Sequence, residues 1–278
     1  MMLGWDGLQV QIPEAMEPAT LDRGFIRLIG PELPTVNLRF GPEKRRFDPQ
    51  RDGRRILRAA GLAQEPFETC REQWSHHLIG DLYSSSSSRL YVLQFRESRG
   101  VVAALFSVPP PSSMAEGIIT SLTWTSSDTW RCWYCYDIAF ETPPGYELKK
   151  AVFRPGRFHL TFTKGRSALS FDRLAPANVL LGNMTLTSWY RQHLLHDPGS
   201  DVTVTPRSDT AADCVRKPSF VYRTCPWLPG LRQPLRGKIR HIPEGNKILI
   251  LTAQGQYIAD AVYDRLHTSY ATIPSVKK

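Results

Sequence analysis

The sequence predicts an α+β protein built from two similar antiparallel-sheet and helix sandwich modules. Three observations carry that prediction. Short alternating strands come in consecutive groups, with helices after them, rather than singly between helices. The order of strands, glycines and prolines in the first half recurs in the second. The chain has 278 residues, 41% of them hydrophobic and 22% charged, enough for two medium-sized cores and too apolar for wholesale disorder.

The elements repeat in sequence. Leu8-Gln-Val10-Gln-Ile12 alternates apolar and polar and stops at Pro13, as a half-buried strand before a turn does. Ile138-Ala-Phe140-Glu-Thr142 stops the same way at Pro143. Gly24-Phe-Ile26-Arg-Leu28 matches Gly156-Arg-Phe158-His-Leu160, each a glycine followed by an alternating strand. Val36-Asn-Leu38-Arg-Phe40 is set against Ser167-Ala-Leu169-Ser-Phe171 as the third strand. Three short strands with turns between them form a meander.

A helix follows each meander. Arg51 to Leu62 puts Ile56, Leu57 and Ala60 on one face, and Leu181 to Leu195 puts Leu186, Trp189, Tyr190 and His193 at helical spacing. Hairpins come next: Tyr91–Phe95 with Val101–Phe106, and Lys238–Ile242 with Lys247–Thr252 about the turn Glu244-Gly-Asn246. Closing helices carry Met114, Ile118 and Leu122 in one half and Ile258, Val262 and Leu266 in the other. The expected modules span 1–125 and 126–278. The second is interrupted by an insertion at 197–237, rich in Pro, Asp and Arg, and the first by the serine run Ser84–Ser88.

This pattern resembles the PsbP/Mog1-like fold, on Val10-Gln-Ile12-Pro13 with Ala103–Leu122 and on Phe140–Pro143 with Ile248–Leu266. The resemblance implies non-enzymatic modules that bind other proteins, a small GTPase in one branch and photosystem subunits in another. It assigns no binding residue to this chain. The start, Met1–Pro13, lacks the basic and then apolar run of a signal peptide, and no apolar run reaches the length of a membrane span. Five cysteines at irregular spacing fit reduced thiols, so a cytoplasmic protein is expected.

Charge is unevenly placed. Residues 1–125 hold 14 Lys+Arg and 14 Asp+Glu, whereas residues 126–278 hold 21 and 12, so the net charge of +9 comes from the second half. A basic surface attracts polyanions: acidic proteins, nucleic acid or lipid headgroups. Between Arg216 and Lys247 lie Arg216, Lys217, Arg223, Arg232, Arg236, Lys238, Arg240 and Lys247, opposed only by Glu244 and interleaved with Phe220, Tyr222 and Trp227. Guanidinium groups and aromatic rings suit phosphates and unpaired bases, and equally the anchors of an acidic protein partner. The plainer alternative is a loop whose aromatics pin it to its own sheet. A second basic group, Arg51, Arg54, Arg55 and Arg58, stands at i, i+3, i+4 and i+7 on one helical side, preceded by Lys44-Arg-Arg46. It could hold carboxylates or phosphates, or form an ordinary solvated face.

Chemistry-bearing motifs are sparse. Cys132-Trp-Tyr-Cys135 lies among aromatic residues that favour a strand, where thiols three apart point to opposite faces. Structural, metal and redox readings of that pair stay open, and Cys214 and Cys225 do not give the spacing of a zinc ribbon. His76-His77 and His193 with His196 lack the glutamate of a metallohydrolase motif. There is no GxxxxGK[ST], GxGxxG or GxSxG. The sequence therefore reads as a non-enzymatic protein-binding adaptor or accessory scaffold subunit with no cofactor. The alternative is a nucleic-acid-binding protein using the basic aromatic segment.

Overall fold

The computed structural model describes residues 1–43, 47–62, 66–75, 77–193, 201–219, 224, 233–255 and 258–273, without the side chains of residues 72, 73 and 75. The chain divides into two compact units, Met1–Asp137 and Ile138–Lys278. Among the described residues no helix is long and apolar enough to cross a membrane.

The first unit runs β1 (Met2–Trp5), β2 (Leu8–Gln11), β3 (Glu17–Asp22), β4 (Phe25–Gly30), β5 (Leu33–Pro42), α1 (Pro49–Ala59), β6 (Glu68–Ser75), β7 (Leu78–Ser84), β8 (Arg89–Phe95), β9 (Gly100–Phe106), α2 (Ser112–Thr120), β10 (Thr123–Trp124) and β11 (Arg131–Cys135). Its main sheet is antiparallel in the order β3-β4-β5-β9-β8-β7-β6. On one sheet face Ile26, Leu28, Val36, Leu38, Val102, Ala104 and Phe106 are buried, as are Ile118 and Ile119 of α2 and Leu3, Trp5, Leu8 and Val10 of the ladder β10-β2-β1-β11. On the other face Leu57 of α1 packs with Tyr83, Leu90, Val92 and Ala103. The alternation of each strand thus feeds two apolar layers, because both faces are covered.

The second unit runs β12 (Ile138–Thr142), β13 (Glu147–Arg154), β14 (Arg157–Lys164), β15 (Ser167–Leu174), α3 (Ala177–Leu181), α4 (Leu186–His193), β16 (Thr203–Ser208), β17 (Ala211–Arg216), β18 (Leu235–Ile242), β19 (Lys247–Gln254), α5 (Asp260–Ser269) and β20 (Ala271–Thr272). Its sheet order, β13-β14-β15-β19-β18-β17-β16, repeats that of the first unit strand for strand. One face packs on α3 and α4 through Trp189, Tyr190, Ile239, Ile248 and Ile250. The other holds a cluster of Phe140, Phe162, Phe171 and Tyr270, with Phe140 and Phe171 stacked at 4.1 Å and Tyr270 edge-on to both. The α+β class and the duplication are as the sequence predicts.

Three details differ from the sequence reading. The third strands align four residues away from the expected match. Gly24 (φ 64°) accepts a hydrogen bond from the Phe40 amide at 3.0 Å, and Gly156 (φ 79°) accepts one from the Ala175 amide at 2.8 Å. A Cβ at either glycine would stand 2.7 Å from the carbonyl oxygen of that same partner. These turns make Phe40 the counterpart of Ala175 and Val36 the counterpart of Phe171. A shift of four keeps every side chain on its face, so alternation alone does not register it.

The expected helix over 181–195 begins only at Leu186, because Gly182 takes φ 52° and closes the preceding α3 at Leu181; residues 194–195 of that expectation lie outside the described residues. Thr185 restarts the chain by accepting the Ser188 amide at 3.2 Å. The expected insertion at 197–237 contains β16 and β17, the counterparts of β6 and β7, and so belongs in part to the repeat. Neither edge hairpin alternates strongly in sequence, since an edge strand has little buried face: β16 buries only Val204.

Candidate protein-binding surface

Helix α1 is set up by local sequence. Asp48 is the N-cap, in extended conformation, and its carboxylate accepts the Arg51 amide at 3.1 Å. Pro49 follows at the first helical position, Asp52 lies in the first turn and Arg58 in the last, each favourable to the helix dipole. Gly53 and Leu57 are buried against the sheet, and Ile56 packs beside them. The Tyr83 hydroxyl donates to the Pro49 carbonyl at 3.0 Å, tying the start of the helix to β7. Burial pushes the Tyr83 phenol up to about 12, with the Asp81 carboxylate adding to the shift.

This seating turns Arg51, Arg54, Arg55 and Arg58 outward, and all four are exposed. At 3.6 residues per turn they fall within an arc of about 100°. Arg51 is paired with Asp52 at 3.3 Å. Among the described residues no ion pair engages Arg54, Arg55 or Arg58. The surface is therefore a compact cationic face on a rigid element. Asp81 lies beneath the same sheet face, 3% exposed, with its carboxyl raised by burial and opposed by Arg71 at 3.7 Å.

The basic residues of the second half are placed differently. Arg216 is mostly buried, paired with Asp201 at 2.7 Å, and donates to the Gln233 carbonyl at 3.2 Å. Lys217 is exposed beyond β17. Phe220, Tyr222, Arg223, Trp227 and Arg232 lie outside the described residues. Arg236, Lys238 and Arg240 alternate along β18 on the face covered by α5. Arg236 binds Asp260 at 2.5 Å and lies 3.9 Å from the centre of the Tyr263 ring. Arg240 donates to the Tyr270 carbonyl just past the end of α5. The field of Lys238 and Arg240 adds to burial in lowering His267 to about 4. Arg236 and Arg240 thus bind groups of α5 and the residue after it, and Lys238 lies close enough to act on His267 of the same helix.

The remaining sequence candidates also find places. Cys132 and Cys135 lie on β11 with Cys135 buried and Cys132 half-buried, on opposite faces as the strand reading requires. Burial pushes the Cys135 thiol far above its ordinary range. His193 is exposed rather than on the apolar helix face; it stacks on Trp189, and its Nδ1 lies 3.1 Å from the Trp189 carbonyl. His77 Nε2 lies 3.1 Å from the Leu122 carbonyl, while His76, His196 and Cys225 lie outside the described residues. Among the described residues no group of three or more His, Cys, Asp or Glu is placed to hold a metal ion. Sequence reasoning missed β6, whose Glu68, Thr69, Cys70 and Arg71 are all exposed; its mixed polar run gives no alternation to read.

No protein-family model matches the chain, and no curated protein matches it. Among solved structures it is similar to the immunity protein TplEi of the T6SS from Pseudomonas aeruginosa complexed with "L" peptide. That likeness has a TM-score of 0.32 and 11% identity over 94% of this chain and 99% of that one. It is also similar to the MucA/MucB complex of Pseudomonas aeruginosa, with a TM-score of 0.24 and 10% identity over 96% and 88% of the two chains.

Proposed function

We propose that the chain is a non-enzymatic adaptor or accessory scaffold subunit, made of two PsbP/Mog1-like modules, that binds an acidic protein partner through α1 of the first module. The observation that carries this reading is the exposed arc of Arg51, Arg54, Arg55 and Arg58 on a helix whose opposite side is locked to the sheet. A preorganised helix loses little entropy on docking, and arginine forks suit carboxylates in bidentate geometry. The first 125 residues balance 14 basic against 14 acidic groups, so the four arginines of the α1 arc are a local cationic group on a neutral half. In the sequence, Lys217, Arg223 and Arg232 form a second basic stretch in the other half.

The test is recovery of the full chain from native lysate with and without nuclease, identifying protein and nucleic acid together. An acidic protein retained in stoichiometric amount after nuclease is the expected result. Nucleic acid alone, or protein partners lost on nuclease treatment, would replace this reading with nucleic-acid binding.

A further inference from the structure

The two seven-stranded sheets present four edge strands, β3, β6, β13 and β16. An open edge is a template for another strand, and proteins blunt edges with bulges, proline and charged side chains, lysine above all. Three of the four are blunted within their run. β3 has Pro18 and a bulge between Pro18 and Thr20. β13 has a bulge between Leu148 and Lys150, with Lys149 inside it. β16 has Pro206 and a bulge between Pro206 and Ser208.

β6 differs. From Glu68, opposite Ser84, to Gln73, opposite Ile79, it pairs with β7 in unbroken register, and its bulge comes only afterwards, between Gln73 and Ser75. This run of six residues is about 20 Å long, the length of an ordinary strand. It contains no proline and no lysine. Among the described residues no strand lies beyond it, and Glu68, Thr69, Cys70 and Arg71 are exposed.

On the α1 side β6 carries one charged residue, Arg71, which lies 3.7 Å from the Asp81 carboxylate, while Glu68 and Glu72 hold register positions of the opposite face. Thr69 opposes Tyr83 and Arg71 opposes Asp81, so both belong to the sheet face that carries α1. The Arg71 side chain is 72% exposed. Arg54 of α1 acts electrostatically on Tyr83, one strand inward. A strand laid against β6 would have its alternate side chains beside Arg71, on the sheet face that carries α1 over β7 and β8.

We propose that β6 accepts an extended acidic segment of the partner protein as an added antiparallel or parallel strand, with its carboxylates on the α1 side. Main-chain hydrogen bonds would supply affinity and the alternate acidic side chains specificity. This rests on the acidic-partner reading above and adds the manner of binding.

The experiment uses the full chain and an end-blocked synthetic peptide of about twelve residues alternating Glu and Val, with a Lys and Val peptide as control. Binding is followed by fluorescence anisotropy and by amide hydrogen exchange. The acidic peptide is expected to bind, to slow exchange at residues 68–73, and to lose about tenfold in affinity with Arg71→Glu, while Arg71→Ala has a smaller effect and the Lys peptide does not bind. Binding that depends on the α1 arginines but leaves exchange at 68–73 unchanged overturns strand addition and leaves the adaptor reading standing. If the acidic peptide does not bind at all, strand addition is rejected, and the adaptor reading is decided separately by the nuclease-treated recovery.

Discussion

Gly53 of α1 rests on the ring of Tyr83: a Cβ at Gly53 would lie 2.6 Å from Cε2 and Cζ and 2.8 Å from the hydroxyl oxygen. The ring cannot easily yield, since Tyr83 is 4% exposed and its hydroxyl is bonded to Pro49. Glycine inside a helix ordinarily costs about 1 kcal/mol relative to alanine, so the residue is kept here for space and not for helix propensity. Gly53→Ala should therefore destabilise the protein, by about 1–3 kcal/mol in denaturant unfolding. Adding Tyr83→Leu should recover part of the loss, because the two residues share one contact. Stabilisation by Gly53→Ala alone would show that α1 sits elsewhere.

The helix start gives an independent check. Asp48→Ala removes the acceptor for the Arg51 amide and should cost about 1 kcal/mol, whereas Asp48→Ser or Asp48→Asn should cost much less. Unfolding midpoints at constant denaturant slope decide this.

Arg236 and the α1 arginines should separate stability from binding. Arg236→Ala loses the pair with Asp260 and the contact with the Tyr263 ring, and should destabilise by roughly 0.5–1 kcal/mol, since both partners are partly solvated. Arg236→Lys should recover little, because an ammonium cannot reproduce the planar fork over the ring. Arg54→Ala, Arg55→Ala and Arg58→Ala should each change stability by less than about 0.5 kcal/mol.

His267 should make the fold acid-sensitive. Burial, then Lys238 and Arg240, lower it from 6.5 to about 4, outweighing Asp213 and Asp264, which face it with opposite effect. The unfolded chain then binds more protons between those values, so stability falls as pH drops from about 6.5 towards 4. Above 6.5 the group is neutral in both states and contributes no slope. His267→Gln should flatten stability against pH in that window, measured by unfolding at several pH values. An unchanged slope would assign acid sensitivity to other groups.

How much of this was legible in the sequence follows from burial. Leu8–Ile12 and Ile138–Thr142 were readable because one face is buried and prolines end them. The hairpin cores around Tyr91–Phe106 and Lys238–Thr252 were readable because covered strands keep an apolar face. The edge strands β6 and β16 were not, since Glu68–Arg71 of β6 are exposed and β16 buries only Val204. The third-strand alignment needed Gly24 and Gly156 with their Phe40 and Ala175 partners, a backbone relation that alternation does not encode. For the site, helical spacing alone placed Arg51, Arg54, Arg55 and Arg58 on one face. The fate of Arg236, Lys238 and Arg240 was hidden, because sequence gives no sign that α5 covers their face.

The most direct test of the adaptor reading is partner recovery with the triple variant Arg54→Glu, Arg55→Glu and Arg58→Glu, compared with the unaltered chain after nuclease treatment and paired with a melting curve for each. Loss of the acidic protein at an unchanged melting temperature is the predicted result. Full recovery of the same partner by the folded variant would contradict the assignment of α1 as the binding surface.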